Sequence, residues 1–157
     1  MAPPAVIDVR RATLSDADAL ARMRLEFRGP RAPAVESEQE FLERCTQWMR
    51  SRLAEDSVWR VWVVEHDREP VGNVWLQIVE KLPNPTAETE LHAYVSNFYV
   101  RPTHRNGGVG SLLLAEVMSE CARLNVDSVF LWATARSRPL YLRHGFAPSD
   151  GVLVLKR

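Results

Sequence analysis

The stretch from Asn97 to Leu114, NFYVRPTHRNGGVGSLLL, leaves few ways for the chain to fold. A β-prone run ending at Val100 meets Pro102, then a polar turn holding Gly107, Gly108 and Gly110, then an apolar run that reads only as a helix. Glycine adopts backbone angles that side chains forbid and lets a ligand come close to the main chain. Asn106-Gly107 is in addition a turn signal. The N–H groups from Asn106 through Val109 to Ser111 have no partners inside the helix they precede. With the positive end of the helix dipole they make a site for an anion, most naturally a phosphate. Arg105 sets a permanent positive charge beside it. The stretch has neither the Lys-Ser/Thr of a nucleotide P-loop nor the third glycine of the dinucleotide fingerprint. An anion-binding turn of another kind and a plain glycine-capped turn both fit these residues.

At 157 residues the chain is expected to form one domain, residues 1–157, with a substantial core. Lys plus Arg and Asp plus Glu balance at 20 each. The basic footprint of a nucleic-acid partner is therefore absent. The two cysteines, Cys45 and Cys121, fall on apolar stripes of predicted helices and read as small buried hydrophobes in a reducing cytoplasm; neither a disulfide nor a metal site is expected. No apolar run is long enough to span a membrane, and Met1 to Pro4 lacks the basic-then-apolar pattern of a secretory signal.

In chain order, Ala5 to Arg10 reads as a strand, and Ser15 to Asp18 as the capped start of a helix with Leu20, Met23 and Phe27 on one stripe. Gly29 to Pro33 stops it. A second helix opens with the capping box Ser37-x-x-Glu40 and carries Phe41, Cys45 and Trp48 beside Leu42, Met49 and Leu53. Val58–Val64 and Val71–Val79 read as strands around a turn, His66 to Pro70, in which His66 is expected to be solvated. Prolines keep Leu82 to Ala87 in a loop, which beside a site would carry specificity. A strand from Glu90 to Val100 and a helix with Leu112, Leu113, Val117, Cys121 and Leu124 on one face follow. Val126 to Ala133 is nearly continuously apolar, the pattern of a strand covered on both faces. A short helix from Ser137 to His144 is ended by Gly145, and Val152 to Leu155 is expected to close the sheet. The strands before and after the long helix should be parallel and joined by a right-handed crossover, while the earlier hairpins are antiparallel.

Arg105-x-x-Gly108-x-Gly110 after a strand ending in Val100 resembles the acyl-CoA pyrophosphate loop of the GNAT superfamily of N-acetyltransferases. Some thirty residues on, Leu131-Trp132-Ala133-Thr134-Ala135 and Leu140-Tyr141-Leu142-Arg143-His144-Gly145-Phe146 resemble that family's second motif. The likeness is detailed over residues 94–148 and rests on pattern alone before that. It implies an α/β (α+β) fold: a mixed, mostly antiparallel sheet with flanking helices, whose one parallel strand pair splays apart to admit the pantetheine arm. It implies acetyl-CoA as cosubstrate, no metal, an amine acceptor (a small metabolite or drug, or a protein N-terminus or lysine), a cytoplasmic location and, as in many relatives, a homodimer.

Acetyl transfer to an amine needs a bound thioester, a deprotonated nucleophile, a stabilised oxyanion and a proton for the departing thiolate. The resemblance gives the thioester and pantetheine to the Phe98–Tyr99–Val100 main chain, the pyrophosphate to Arg105 and the N–H groups from Asn106 to Ser111, and further CoA contacts to Ser137 and Arg138. Tyr141 matches the tyrosine that protonates the thiolate; a phenol ionises at about 10 and a thiol at about 8.5, so the transfer is roughly matched. An aromatic core residue is the plainer reading of Tyr141, as a helix cap is of Ser137. His144 reads as structural. The base is left open: relatives often carry Glu or His where this chain has Tyr94 or Ser96, so His92, Glu90 or a water chain through Tyr94 and Ser96 all remain. Trp59, Trp62 and Trp75 would make either an apolar, cation-attracting pocket or ordinary core. With no evident base, an idle acyl-CoA-binding or regulatory module is the alternative function.

Overall fold

The computed structural model describes residues 6–29 and 34–157, so the predicted strand start at Ala5 and the helix stop from Pro30 to Pro33 lie outside the described residues. The elements are β1 (Ile7–Arg11), α1 (Ala17–Arg28), α2 (Glu38–Arg52), β2 (Trp59–His66), β3 (Glu69–Glu80), β4 (Leu91–Val100), α3 (Val109–Leu124), β5 (Ser128–Leu131) and α4 (Arg138–Arg143). The strands form one sheet in the order β1-β2-β3-β4-β5, antiparallel except for the parallel β4–β5 pair that α3 connects. This is the mixed α/β architecture expected.

Local chemistry accounts for the helix starts. Ser37 Oγ accepts from the Glu40 N–H at 3.2 Å while Glu40 Oε2 accepts from the Ser37 N–H at 2.8 Å, the reciprocal capping box that opens α2. At α1 the cap is displaced from Ser15: a single 3-10 turn, Leu14–Asp16, precedes the helix, and the Asp16 carboxylate reaches back to the Thr13 N–H at 2.7 Å. Asn125, left-handed at φ 49°, closes α3.

Each face of the sheet is packed. On one, Trp62, Val64, Val74, Leu76, Ala93 and Val95 meet Leu113, Leu114, Val117 and Cys121 of α3. On the other, Val61, Val63, Trp75 and Tyr99 meet Leu20, Met23, Cys45 and Met49 of α1 and α2. Both cysteines are buried and free, as expected. Trp59 and Trp75 join Trp48 in a cluster with ring centroids 5.6–5.8 Å apart, whereas Trp62 lies on the opposite face under the Arg11 guanidinium. The strand tryptophans are thus split between two cores and do not share a pocket.

Four expectations change. Leu112 is exposed, and Leu114 takes its place on the buried face of α3. His66 ends β2 instead of standing in the turn, and its Nδ1 is 2.9 Å from His104 Nε2, so it is partnered. β5 has only four residues, and its outer face is open, with Phe130 37% and Trp132 61% exposed. The helices α1 and α2 pack together over β3 and β4 without reaching β5, so the apolar run there is covered on one face only. Finally, Val152 to Leu155 forms no strand and is largely exposed, pairing with neither edge of the sheet.

Candidate functional site at the splayed strands

β4 carries the site because of one extra residue. Asn73 pairs with Tyr99 and Trp75 with Ser96, so Val74 alone opposes both Asn97 and Phe98. Asn97 is the bulged residue, in the left-handed region at φ 49°, which asparagine tolerates better than most side chains. Its amide is tied on both sides: Nδ2 donates to Oδ1 of the buried Asn73 at 3.0 Å, and Oδ1 accepts from Arg24 of α1 at 3.1 Å. The bulge shifts the strand's alternation, so Ala93 and Val95 before it and Phe98 and Val100 after it all face the α3 core. Sequence reading missed Asn97, Asn73 and Arg24; an asparagine inside an apolar strand was the available signal.

Parallel pairing with β5 ends at Val95 and Leu131. Beyond that row the two strands part, and β4 loses its neighbour on that side. Arg101 N–H donates to Val71 O, so strand alternation turns the amides of Phe98 and Val100 the other way, into the gap. Tyr99, in register with Asn73, belongs to the β3 side, and its hydroxyl donates to Glu26 Oε2 at 3.2 Å. Neither its side chain nor its amide faces the gap, so the structure gives Tyr99 a supporting place and not a ligand-facing one.

The gap leads to the N-terminus of α3. Gly108 is left-handed at φ 82°, and the first helical bond is Leu112 N–H to Gly108 O at 3.1 Å. The N–H groups of Val109, Gly110 and Ser111 are therefore left without helical acceptors. A side chain built on Gly107 or Gly108 would meet nothing within 4 Å, so the space in front of the loop is open. Gly110 differs: its Cβ would come within 3.3 Å of Leu140 and 3.6 Å of Phe98, so glycine there serves the packing of α3 on β4 and α4. Arg105 also departs from its expected place. Its Nε donates to Val100 O at 2.7 Å and its guanidinium lies 5.6 Å from the Tyr99 ring centre, so it braces the loop against β4.

On the α4 side, Tyr141 is buried, its ring edge-on to Phe98 at 5.9 Å and to Phe146 at 5.7 Å. Burial pushes its phenol up to about 12, against a smaller opposing pull from the Ser137 hydroxyl. Ser137 stands at the N-cap of α4 but makes no side-chain capping bond there; its Oγ accepts from the Thr134 N–H at 2.9 Å within the preceding turn. Arg138 begins the helix and is exposed. Gly145 follows α4 at φ 87°, as its sequence position required.

Of the possible bases, Glu90 is committed elsewhere, its Oε1 accepting from the Asn84 N–H at 3.0 Å to close the loop. His92 bonds to Ser128 and sits five residues before Asn97 on β4, about 16 Å at the rise of an extended chain. Tyr94 and Ser96 are the side chains of the sheet's α1/α2 face nearest the bulge. On that face Trp75 is 2% exposed, and its indole N–H finds no acceptor among the described residues, an arrangement that costs about 1–3 kcal/mol. Among the described residues no group of His, Cys, Asp and Glu is placed to hold a metal ion, and no helix is long and apolar enough to cross a membrane.

No curated protein matches the chain in sequence. Solved structures do match in fold. A GCN5-related N-acetyltransferase from Ralstonia eutropha is 25% identical, with a TM-score of 0.77 over 96% of this chain and 99% of that one. A predicted acetyltransferase from Clostridium acetobutylicum, solved with acetyl-CoA, is 22% identical with a TM-score of 0.75 over 96% of each chain. An aminoglycoside N-acetyltransferase solved with CoA is 14% identical with a TM-score of 0.77 over 100% of this chain and 98% of that one. The pattern of the Acetyltransferase (GNAT) family matches residues 21–146, which hold the bulged strand, the glycine loop and Tyr141. The chain belongs to the GNAT family of acetyltransferases.

Proposed function

We propose that this chain moves an acetyl group from acetyl-CoA to an amine acceptor by direct attack. The observation that carries the reading is the gap opening beyond Val95 and Leu131, which runs from the bulge at Asn97 to the free N–H groups that open α3. The residues present fit the cosubstrate at both ends. The gap-facing strand N–H groups of Phe98 and Val100 suit an amide-bearing arm, and the open space over Gly107 and Gly108 suits a diphosphate at a helix N-terminus. Two of the similar structures hold acetyl-CoA or CoA, which supports the same class of cosubstrate here.

When bound, the cosubstrate supplies an activated acyl carbon on a thioester. The chain supplies the rest. Main-chain N–H groups at the bulge orient the acyl carbonyl and favour negative charge on its oxygen. Tyr141 holds a proton for the departing sulfur, although burial makes its phenol a weaker acid than a free one and the transfer less closely matched than the free values give. The acceptor enters on the α1/α2 face, beside Tyr94 and Ser96.

Thermal unfolding with added acetyl-CoA tests the reading. At about a hundred times its dissociation constant the ligand should raise stability by about 2.7 kcal/mol, some 5–10 °C (roughly) in midpoint for a chain of this length. A shift by NAD or ATP and none by acetyl-CoA would overturn it. Binding without CoA release for any amine would leave an idle acyl-CoA-binding module.

A further inference from the structure

Tyr94 of β4 and Phe130 and Trp132 of the β5 end form an aromatic cluster on the acceptor side of the sheet. Tyr94 stacks on Phe130 at 5.2 Å, and Trp132 stands edge-on to both at 5.2 and 5.9 Å. Among the described residues the cluster is only partly covered: Phe130 is 37% and Trp132 61% exposed. Its place is the informative part. Tyr94 and Phe130 face each other one row before the last β4–β5 pair, and Trp132 is the first residue beyond that pair. The rings therefore border the point where the acyl group would emerge from the gap. The strand residues that make this face at the splay, Trp75, Gln77, Tyr94, Ser96, Phe130 and Trp132, include neither an acid nor a cation. Glu26, a carboxylate on the far side of the bulge, is held by Arg101 and Tyr99.

We infer that the acceptor is an amine borne directly on an aromatic ring, with the ring on Trp132 and Phe130 and the nitrogen turned toward the gap. This rests on the proposed acetyl transfer and names its substrate class. Two lines of chemistry agree. Flat rings stack on flat rings, edge-on or offset, with an attraction beyond the area they bury; polycationic amines require carboxylates, and the strand residues named here carry none. An amine on an aromatic ring is also unprotonated at neutral pH, because its lone pair is shared with the ring. Such a nucleophile needs no base before it attacks; the imidazole beside the cluster, His92, is edge-on to Phe130 at 6.4 Å on the side away from the gap and is bonded to Ser128. The balance of the step is complete. The nitrogen lone pair forms the N–C bond as the C–S bond breaks, the nitrogen's surplus proton passes to water, and the sulfur leaves as a thiolate that takes a proton from Tyr141, whose phenolate regains one from water.

The test uses the whole chain with saturating acetyl-CoA and four acceptors: 4-methoxyaniline, phenethylamine, spermidine and kanamycin. 4-Methoxyaniline should have the highest kcat/KM, by about tenfold or more. Calorimetry of 4-methoxyaniline against the CoA-saturated protein should show Trp132→Ala weakening it about tenfold, with the acetyl-CoA dissociation constant unchanged. Phe130→Leu, a milder change beside it, should weaken it by a smaller factor in the same direction. Faster turnover of spermidine or kanamycin, or unchanged arylamine binding in a folded Trp132→Ala protein, would overturn the inference while leaving acetyl transfer in place. Failure of acetyl-CoA itself to bind would remove the underlying reading and this one with it.

Discussion

At the scale of single residues, Tyr141 is the acid we propose, and its burial defines how it could act. Its phenol, pushed up to about 12, keeps its proton across the whole working range and gives it up only in strong alkali. A donor of this kind is present below that value and lost above it. A basic limb in the kcat profile near pH 8 or 9 would therefore belong to another group. Tyr141→Phe keeps the ring against Phe98 and Phe146 and removes only the hydroxyl. Because a thiolate is already a fair leaving group, kcat should fall toward the low end of the general-acid range, about a hundredfold, with little change in CoA affinity or melting temperature. Steady-state kinetics on any acceptor that turns over checks this, and a fall of less than about threefold would take Tyr141 out of the mechanism. Side-chain identity was legible in the sequence, but side-chain direction was not. The bulge turns Tyr99 to Glu26, and the Val100 carbonyl draws Arg105 back. Both outcomes depend on partners distant in the chain or on a one-residue shift that no local pattern announces.

At the scale of elements, the strand–loop–helix unit was readable because its chemistry is local: a proline, an Asn-Gly turn and a helix whose first amides lack acceptors. The bulge was not, since it exists only against β3. The three glycines of the stretch, alike in sequence, differ in what holds each place for glycine. Gly108 needs its left-handed backbone, so Gly108→Ala should cost about 1 kcal/mol of stability before any ligand is present. Gly110 makes room for Phe98 and Leu140, so a larger side chain there disturbs packing and confounds a binding assay. Gly107 has neither constraint, being free of contacts and of positive φ. Gly107→Glu is therefore the clean probe of the anion site: it should leave the melting temperature of the free protein unchanged while abolishing measurable CoA binding, through a like charge beside the diphosphate. Calorimetry with CoA on this variant decides the point, and wild-type affinity would mean that the phosphates lie elsewhere.

At the scale of the whole molecule, the sheet is tied to its helices by carboxylates that link segments far apart in sequence. Glu120 of α3 bonds to Arg123 and lies beside Arg60 of β2 and Arg11 of β1. Asp127 accepts from the Thr89 and Glu90 N–H groups and so joins the start of β5 to the loop before β4. Asp16 lies at the opening of α1, where Arg10 of β1 reaches it through two bonds of 2.9 Å while also binding Glu65 of β2. None of these links was visible in the sequence, because charged pairs across a fold have no periodicity. The predicted closing strand failed for a related reason: Val152 to Leu155 has strand composition, but pairing needs an edge, and an edge is a property of the assembled sheet. Asp16 allows the electrostatic tie to be measured. Burial alone would raise its carboxyl, but the bonds from Arg10 and Thr13 outweigh that and hold it below the usual carboxylate range. A group with a depressed folded-state value stabilises the protein above its unfolded value, about 3.9, and loses that contribution as pH falls toward the folded one. Asp16→Asn keeps the shape and removes the charge, so at pH 7 it should cost about 1–3 kcal/mol. The gap between wild type and variant in urea midpoint should hold from pH 8 to about 5 and narrow below about 4 as the wild-type carboxylate takes up its proton. A gap that stayed constant down to pH 2.5 would mean that Asp16 acts as a helix cap of fixed shape, and that charge does not bind β1 and β2 to α1.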